Sequence, residues 1–218
     1  LDISVDTEDN VLIAGRFQAN VSFGEIDLIS DEVGDAFAAK IDADGNCQWA
    51  ISAEGDGSNS AGIVADFEMN VYMFVNYYGN VTIGNFSIQS AGPSGSYNSI
   101  IAKMDSNGSV LSVYEIYTNS TMSVRSIAVD EAGDVYIGGS GYSNITFGDL
   151  ELEVEAGAGT PYVAKLSHNG SFLWASTGLG GYGTVSDIDI GPDGSAYFAG
   201  SMHTNLIWDN LSLISNGF

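Results

Sequence analysis

The stretch SIAVDEAGDVYIGGSGYSNITFGDLELEV, from Ser126 to Val154, decides the fold. Two short apolar runs, Ile127 to Val129 and Val135 to Gly139, flank the segment Asp-Glu-Ala-Gly-Asp. An Asp at the head of such a segment can start a turn through its side chain, and Gly133 can take positive φ. Apolar runs on both sides of that chemistry predict a β-hairpin. Ile-Thr-Phe-Gly at Ile145, followed by the alternation Leu150, Leu152 and Val154, predicts a second, inserted hairpin.

The same turn recurs as VDTEDNVLIAG from Val5, ADFEMNVYMFV from Ala65 and IGPDGSAYFAG from Ile190. Counted at Asp6, the copies fall at Asp66, Asp130 and Gly191, with spacings of 60, 64 and 61 residues. A second landmark follows each hairpin: VSFG at Val21, VTIG at Val81, ITFG at Ile145 and LIWD at Leu206. A third is the Ala-Lys segment, whose lysines are Lys40, Lys103 and Lys165. Three landmarks holding one period mark an internal repeat. Its units run approximately over 1–60, 61–124, 125–185 and 186–218.

Each unit reads as four strands and the inserted hairpin. The first two strands flank the Asp turn. The third carries the lysine, as in Tyr162 to Leu166, and a Gly-containing turn joins it to the fourth, Phe172 to Ser176. The second copy has Met69 where Gly133 sits and Ser112 in the column of Trp49 and Trp174, so it is expected to be irregular. First strands present one apolar face (Ile3 and Val5, Ile127 and Val129, Ile188 and Ile190) and a mostly small opposite face, which suits close stacking of neighbouring units. Antiparallel four-stranded units at a long period predict an all-β chain, a β-propeller of about three and a half four-stranded antiparallel blades with inserted hairpins.

The combination of D-x-x-G-N-V-Y, I-T-F-G, A-K-(Leu/Ile)-D-x-N-G and W-A resembles the SBBP-type β-propeller repeat of secreted microbial proteins, over essentially the whole chain. The resemblance implies an extracellular or cell-surface propeller of about seven blades. It transfers no catalytic residue. On this reading the 218 residues are part of a larger ring. The remaining blades are then partners, and the chain alone is expected to associate through the flank of Ile3 and Val5 and the edge from Asn205 to Ile214.

Five basic residues against 28 acidic ones give a net charge of −23. That balance excludes nucleic-acid binding and adhesion to anionic lipid through a basic patch. No apolar run reaches membrane-spanning length, and membrane insertion is not expected. Cys47 is the single cysteine; its column holds Val110 and Phe172, so it reads as a buried small hydrophobe. Eight N-x-S/T sequons occur, five of them within the repeat's own motifs, and they leave glycosylation open.

The candidate sites are few. Aligned on the repeat, Gln18, Tyr78, Tyr142 and His203 form one column just after the second strand. In a propeller this column rings the face formed by the connections between second and third strands. Aromatic and amide groups there suit sugar binding; the plainer role is bracing the inserted hairpins. Asp187 and Asp189 occupy a strand face where other units carry Ser, Val or Ala, with Glu54 and Asp56 as further acids. Either that edge is wet or a cation such as Ca2+ sits there. No other cofactor is expected. Asp42 to Asn46, DADGN, mimics the start of a calcium loop but lacks the distal carboxylate and reads as a turn. The function expected is a non-enzymatic surface or secreted propeller binding glycan or extracellular protein. The alternative is a polysaccharide hydrolase or lyase using His203 or a loop carboxylate as general acid or base.

Overall fold

The computed structural model describes residues 1–30, 33–90, 92–93, 95–155, 157 and 159–215, with residues 58–60 described by their backbone alone. The last three residues assigned to the fourth repeat therefore lie outside the described residues. All regular structure among the described residues is β-strand. The first repeat holds β1 (Asp2–Val5), β2 (Val11–Phe17), β3 (Asn20–Phe23), β4 (Ile26–Ile29), β5 (Asp35–Ile41) and β6 (Cys47–Gly55). The second holds β7 (Ser58–Ala65), β8 (Val71–Tyr77), β9 (Asn80–Ile83), β10 (Phe86–Gln89), β11 (Asn98–Met104) and β12 (Val110–Thr118). The third holds β13 (Met122–Val129), β14 (Val135–Gly141), β15 (Ile145–Phe147), β16 (Leu150–Leu152), β17 (Thr160–Leu166) and β18 (Phe172–Thr177). The fourth shows β19 (Gly183–Ile190), β20 (Ala196–Met202), β21 (Leu206–Trp208) and β22 (Leu211–Leu213). All four inserted hairpins are present where the sequence places them.

The chain divides into two compact parts, one of residues 1–90 and 99–115, the other of residues 91–98 and 116–218. In the first part β1-β2-β5-β6 form an antiparallel sheet in chain order, as the repeat predicts. Beyond β6 the sheet continues into β9 and β10, with Ala53 opposite Ile83 and Gly55 opposite Val81. The inserted hairpin of one repeat thus extends the outer strand of the repeat before it. The second part shows the same device: Ile116 to Thr118, the end of β12, pair with β15, and β13-β14-β17-β18 form the four-stranded sheet. Next to the end of β18, Leu179 and Ile207 exchange backbone hydrogen bonds of 2.7 and 2.8 Å.

Turn chemistry explains the hairpins. Asp6 Oδ1 accepts from the N–H groups of Glu8 and Asn10 at 2.9 and 3.0 Å, and Asp66 and Asp130 hold their turns in the same way. The position filled by Gly133 at φ 80° is occupied by Asp9 and Met69 at φ 64° and 63°. The second repeat was expected to be irregular there. Instead β7 and β8 pair from Ser58 to Ala65 with a single shift far from the turn, because the backbone of Met69 adopts the left-handed conformation despite its side chain.

The core of the first part is built from alternate residues of these strands, including Leu12, Ala14, Trp49, Ile63, Met73, Val81, Ile83 and Ile100. Both faces of β8 and β14 are covered, and these two strands are buried throughout. Small residues at Ala36, Ala38 and Ala39 let neighbouring layers approach.

The lysine of each of the first three repeats also has a structural role. Lys40 Nζ lies 2.7 Å from Asp6 Oδ2, with both side chains nearly inaccessible. Lys165 Nζ sits 3.0 Å from carboxylate oxygens of both Asp130 and Asp134 and 4.7 Å from the Tyr136 ring centre. Lys103 lies 5.3 Å from the centre of the Tyr72 ring. Lys40 and Lys165 tie the third strand to the turn between the first two, and Lys103 packs its ammonium over a ring of the second strand.

Candidate functional site

The column of Gln18, Tyr78, Tyr142 and His203 lies just past the second strands, where the chain turns toward the inserted hairpins. In the first compact part Gln18 is exposed and Tyr78 half-buried. The Tyr78 ring lies against Gly57, leaving no space for a Cβ there, and its N–H donates to the Gly57 carbonyl at 3.2 Å. Tyr78 therefore braces the connection between the first and second repeats.

In the second part Tyr142 and His203 belong to one run of connected loops. Tyr142 is 44% exposed, and its ring runs alongside Gly159, where a Cβ would lie 3.2 Å from the phenol carbon and oxygen. The Gly159 carbonyl accepts from Gly183 N–H at 2.7 Å. The neighbouring Tyr182, 50% exposed, accepts at its carbonyl from His203 N–H at 2.9 Å, and its own N–H donates to Thr204 Oγ1 at 3.0 Å. The result is two exposed phenol rings and an exposed imidazole on three loops, the Tyr142 loop linked to the other two by backbone bonds through Gly157 and Gly159. Tyr182 was not singled out in the sequence. Its only signal is a large aromatic residue among the glycines of Gly-Gly-Tyr-Gly.

Of the four acidic candidates, Glu54 and Asp56 lie in the first compact part and Asp187 and Asp189 in the second. Asp187 Oδ1 accepts from Ser126 Oγ and from its own following N–H, both at 3.1 Å, and Asp189 caps the Ile190 N–H at 2.9 Å. Both are exposed, so the edge is wet rather than a buried carboxylate pair. Glu54 accepts from Ser52 Oγ at 2.9 Å, while Asp56 Oδ2 takes the Asn80 N–H at 2.8 Å and fixes the start of β9. Among the described residues no group of three or more His, Cys, Asp or Glu is placed to hold a metal ion. Asp42 behaves as the turn residue expected: it accepts from the N–H groups of Asp44 and Asn46, bonds that, with Asn46 first, draw its pKa below the ordinary carboxylate value.

Two other features bear on chemistry. A polar cleft of about 510 Å3 in the first part is bordered by Glu8, Asn10, Lys40, Asp42, Gln48 and Trp49. Its groups are already engaged: Lys40 with Asp6, Gln48 with Asp42 at 2.7 Å, and the Trp49 ring N–H with the Ser106 carbonyl at 3.1 Å. Cys47 is half-buried rather than fully buried, and burial raises its thiol pKa against a weaker lowering from its bond to the Trp49 carbonyl. The His168 ring contacts Asp134 Oδ1 at 3.2 Å in an exposed turn.

Residues 115–146 match the family described as a beta-propeller repeat, SBBP. The resemblance read from the repeat motifs therefore holds. No curated protein matches the chain. Among solved structures, the chain is similar to a protein of unknown function from Bacteroides caccae, at 15% identity and a TM-score of 0.46. That similarity covers 99% of this chain and 60% of the other, so the chain spans less than two thirds of that protein's length.

Proposed function

We propose that the chain is a non-enzymatic β-propeller module of a secreted or cell-surface protein, binding glycan through the loops that carry Tyr142, Tyr182 and His203. The carrying observation is the exposure of two tyrosine rings and an imidazole on three loops tied together by backbone hydrogen bonds that run through Gly157 and Gly159. Phenol rings offer flat apolar faces for the C–H surface of a sugar and a hydroxyl for its polar rim. Backbone-anchored loops reduce the ordering cost of binding. The four-stranded antiparallel sheets, the SBBP match and the fixed period support the propeller arrangement. A net charge of −23 supports an exterior setting and a neutral or cationic ligand rather than a polyanion.

The hydrolase or lyase alternative requires a general acid or base paired with a second group. Among the described residues no carboxylate is bonded to the His203 ring, which favours binding over bond cleavage. A glycan array probed with the full chain tests the proposal. Tyr142→Ala and Tyr182→Ala should each lower binding at least tenfold, while Tyr197→Ala, at an exposed strand tyrosine, leaves it unchanged. Equal losses at all three positions, or no glycan bound, would defeat it.

A further inference from the structure

The N-x-S/T sequon at Asn107 differs from the other seven in what surrounds it. Asp105 heads its turn: Asp105 Oδ1 accepts from the N–H groups of Asn107 and Ser109, both at 2.9 Å, and the Asp105 carbonyl accepts from Gly108 N–H at 3.0 Å. Backbone donors make all of these bonds, so the turn is held without using the Asn107 side chain. Asn107 and Ser109 are both exposed, and among the described residues the Asn107 side-chain amide has no hydrogen-bond partner. Asn144 is the contrast: its Oδ1 accepts from Val154 N–H at 3.1 Å, and its Nδ2 donates to Glu151 Oε1 at 3.2 Å. In the Asn85 sequon the hydroxyl is engaged, with Ser87 Oγ 3.0 Å from Thr82 Oγ1.

A second observation concerns the neighbours of Asn107 in the chain, which are clamped to an indole. The Trp49 ring N–H donates to the Ser106 carbonyl at 3.1 Å, and a Cβ on Gly108 would lie 2.7 Å from the same ring. Asn107 is thereby fixed at the border of the polar cleft of about 510 Å3, which Glu8, Asn10, Gln48 and Trp49 also border. That volume falls within the roughly 300–1,000 Å3 of ordinary small-ligand sites. The cleft's own groups are largely paired with one another, so it offers a free ligand few open donors or acceptors. A group tethered to Asn107 needs little affinity, because a short linker gives an effective concentration on the order of millimolar.

We infer that Asn107 carries an N-linked oligosaccharide and that the cleft seats its first sugar. The donor is an oligosaccharide joined to a lipid pyrophosphate. Asn107 Nδ2 bonds to the anomeric carbon, and the carbon–oxygen bond to the pyrophosphate breaks, its electron pair leaving with the lipid pyrophosphate. The amide gives up one proton to a base of the transferase, and nothing is oxidised or reduced. Seated, the sugar covers the edge of Trp49 that borders the cleft and turns its hydroxyls toward Gln48 and Glu8. This glycan belongs to the chain itself and is independent of the ligand proposed for the Tyr142 loops, which lie in the other compact part.

The test expresses the 218-residue chain with a secretion leader in a host whose secretory pathway N-glycosylates, and maps the folded product by peptide mass spectrometry. Asn107 should be occupied in most molecules, and Asn107→Gln and Ser109→Ala should each abolish that occupancy without unfolding the chain. Exchange of the Trp49 indole N–H then reads the seat. It should slow about fivefold in the glycosylated chain relative to Ser109→Ala, which keeps Asn107 but loses the sugar. Trimming the glycan to its first sugar should preserve that slowing. An unmodified Asn107 in the secreted, folded chain overturns the inference, and so does a modified Asn107 with indole exchange unchanged.

Discussion

Lys40→Met tests whether the buried lysine clasp stabilises the repeat. Burial is the largest single influence on Asp6 and would raise its pKa, but hydrogen bonds from Lys40, Asn10 and the Glu8 N–H outweigh it and hold the value at about 2. Against the ordinary 3.8, that difference corresponds to roughly 2.4 kcal/mol favouring the ionised, folded state at neutral pH. Without Lys40 the carboxylate stays buried but keeps the Glu8 N–H and both donors of Asn10. The loss should therefore fall at about 2 to 3 kcal/mol, the lower side of what breaking a buried pair costs. Urea unfolding at pH 7, followed by tryptophan fluorescence, should show the midpoint falling by about 1 M for an m-value near 2 kcal/mol/M. In a cycle with Asp6→Asn and the double variant, the coupling should be about 1.5 kcal/mol or more. The sign with pH is set by the depressed carboxyl: its contribution is full above its ordinary pKa and fades as the pH falls from about 4 toward 2. The gap between wild type and Lys40→Met should narrow over that window. A coupling below about 0.5 kcal/mol, or a gap independent of pH, would refute the reasoning.

Four further outcomes follow. Met69→Gly should raise stability by about 1 kcal/mol, since it relieves a left-handed backbone at a non-glycine residue; a lower melting temperature would contradict this. Phe147→Ala should cost about 3 to 5 kcal/mol, because that ring is fully buried against Tyr162 and Phe172, with centroids at 5.6 and 5.3 Å. Phe23→Ala should cost less than half as much in chemical denaturation, since its ring is only half-buried. Burial, the largest influence on Lys165, lowers its pKa, but bonds to Tyr136, Asp134 and Asp130 outweigh it and raise the value above the ordinary lysine range. Its stabilising contribution should thus persist up to about pH 10.5 and disappear only above it, which pH-dependent melting of wild type against Lys165→Met would reveal.

The strand plan was legible because turns are local: Asp6, Asp66 and Asp130 at turn heads, and Gly45, Gly108 and Gly170 at positive φ, declare themselves within a few residues. The destination of the inserted hairpins was not. A period shows what recurs, but the edge of β9 meets β6 across a repeat boundary, and no local pattern encodes that partner. The lysine landmark was visible and its pairing with Asp6 was not, although one lysine in each of the first three repeats of a chain with five basic residues was a usable signal. Met69 misled in the other direction, since a turn residue's conformation is imposed by the strands it joins. At the candidate site, Tyr142 and His203 were legible from the column, whereas Tyr182 lies in a connection whose sequence varies between repeats. The carboxylates looked like ligands because a sequence does not reveal that Asp56 and Asp187 are spent on backbone and hydroxyl donors.

Because the hairpins of the second and third repeats cover the outer strand that precedes them, the order of synthesis matters to this molecule. When β6 has left the ribosome at Gly55, its outer edge is bare until Asn80 to Ile83 follow. At ordinary translation speeds that interval lasts on the order of seconds. A growing chain therefore always trails one naked edge, and the next stretch made is the one shaped to shield it. The sparse lysines leave the emerging polymer uniformly negative, so two nascent chains on neighbouring ribosomes repel each other during the seconds when their edges could otherwise join.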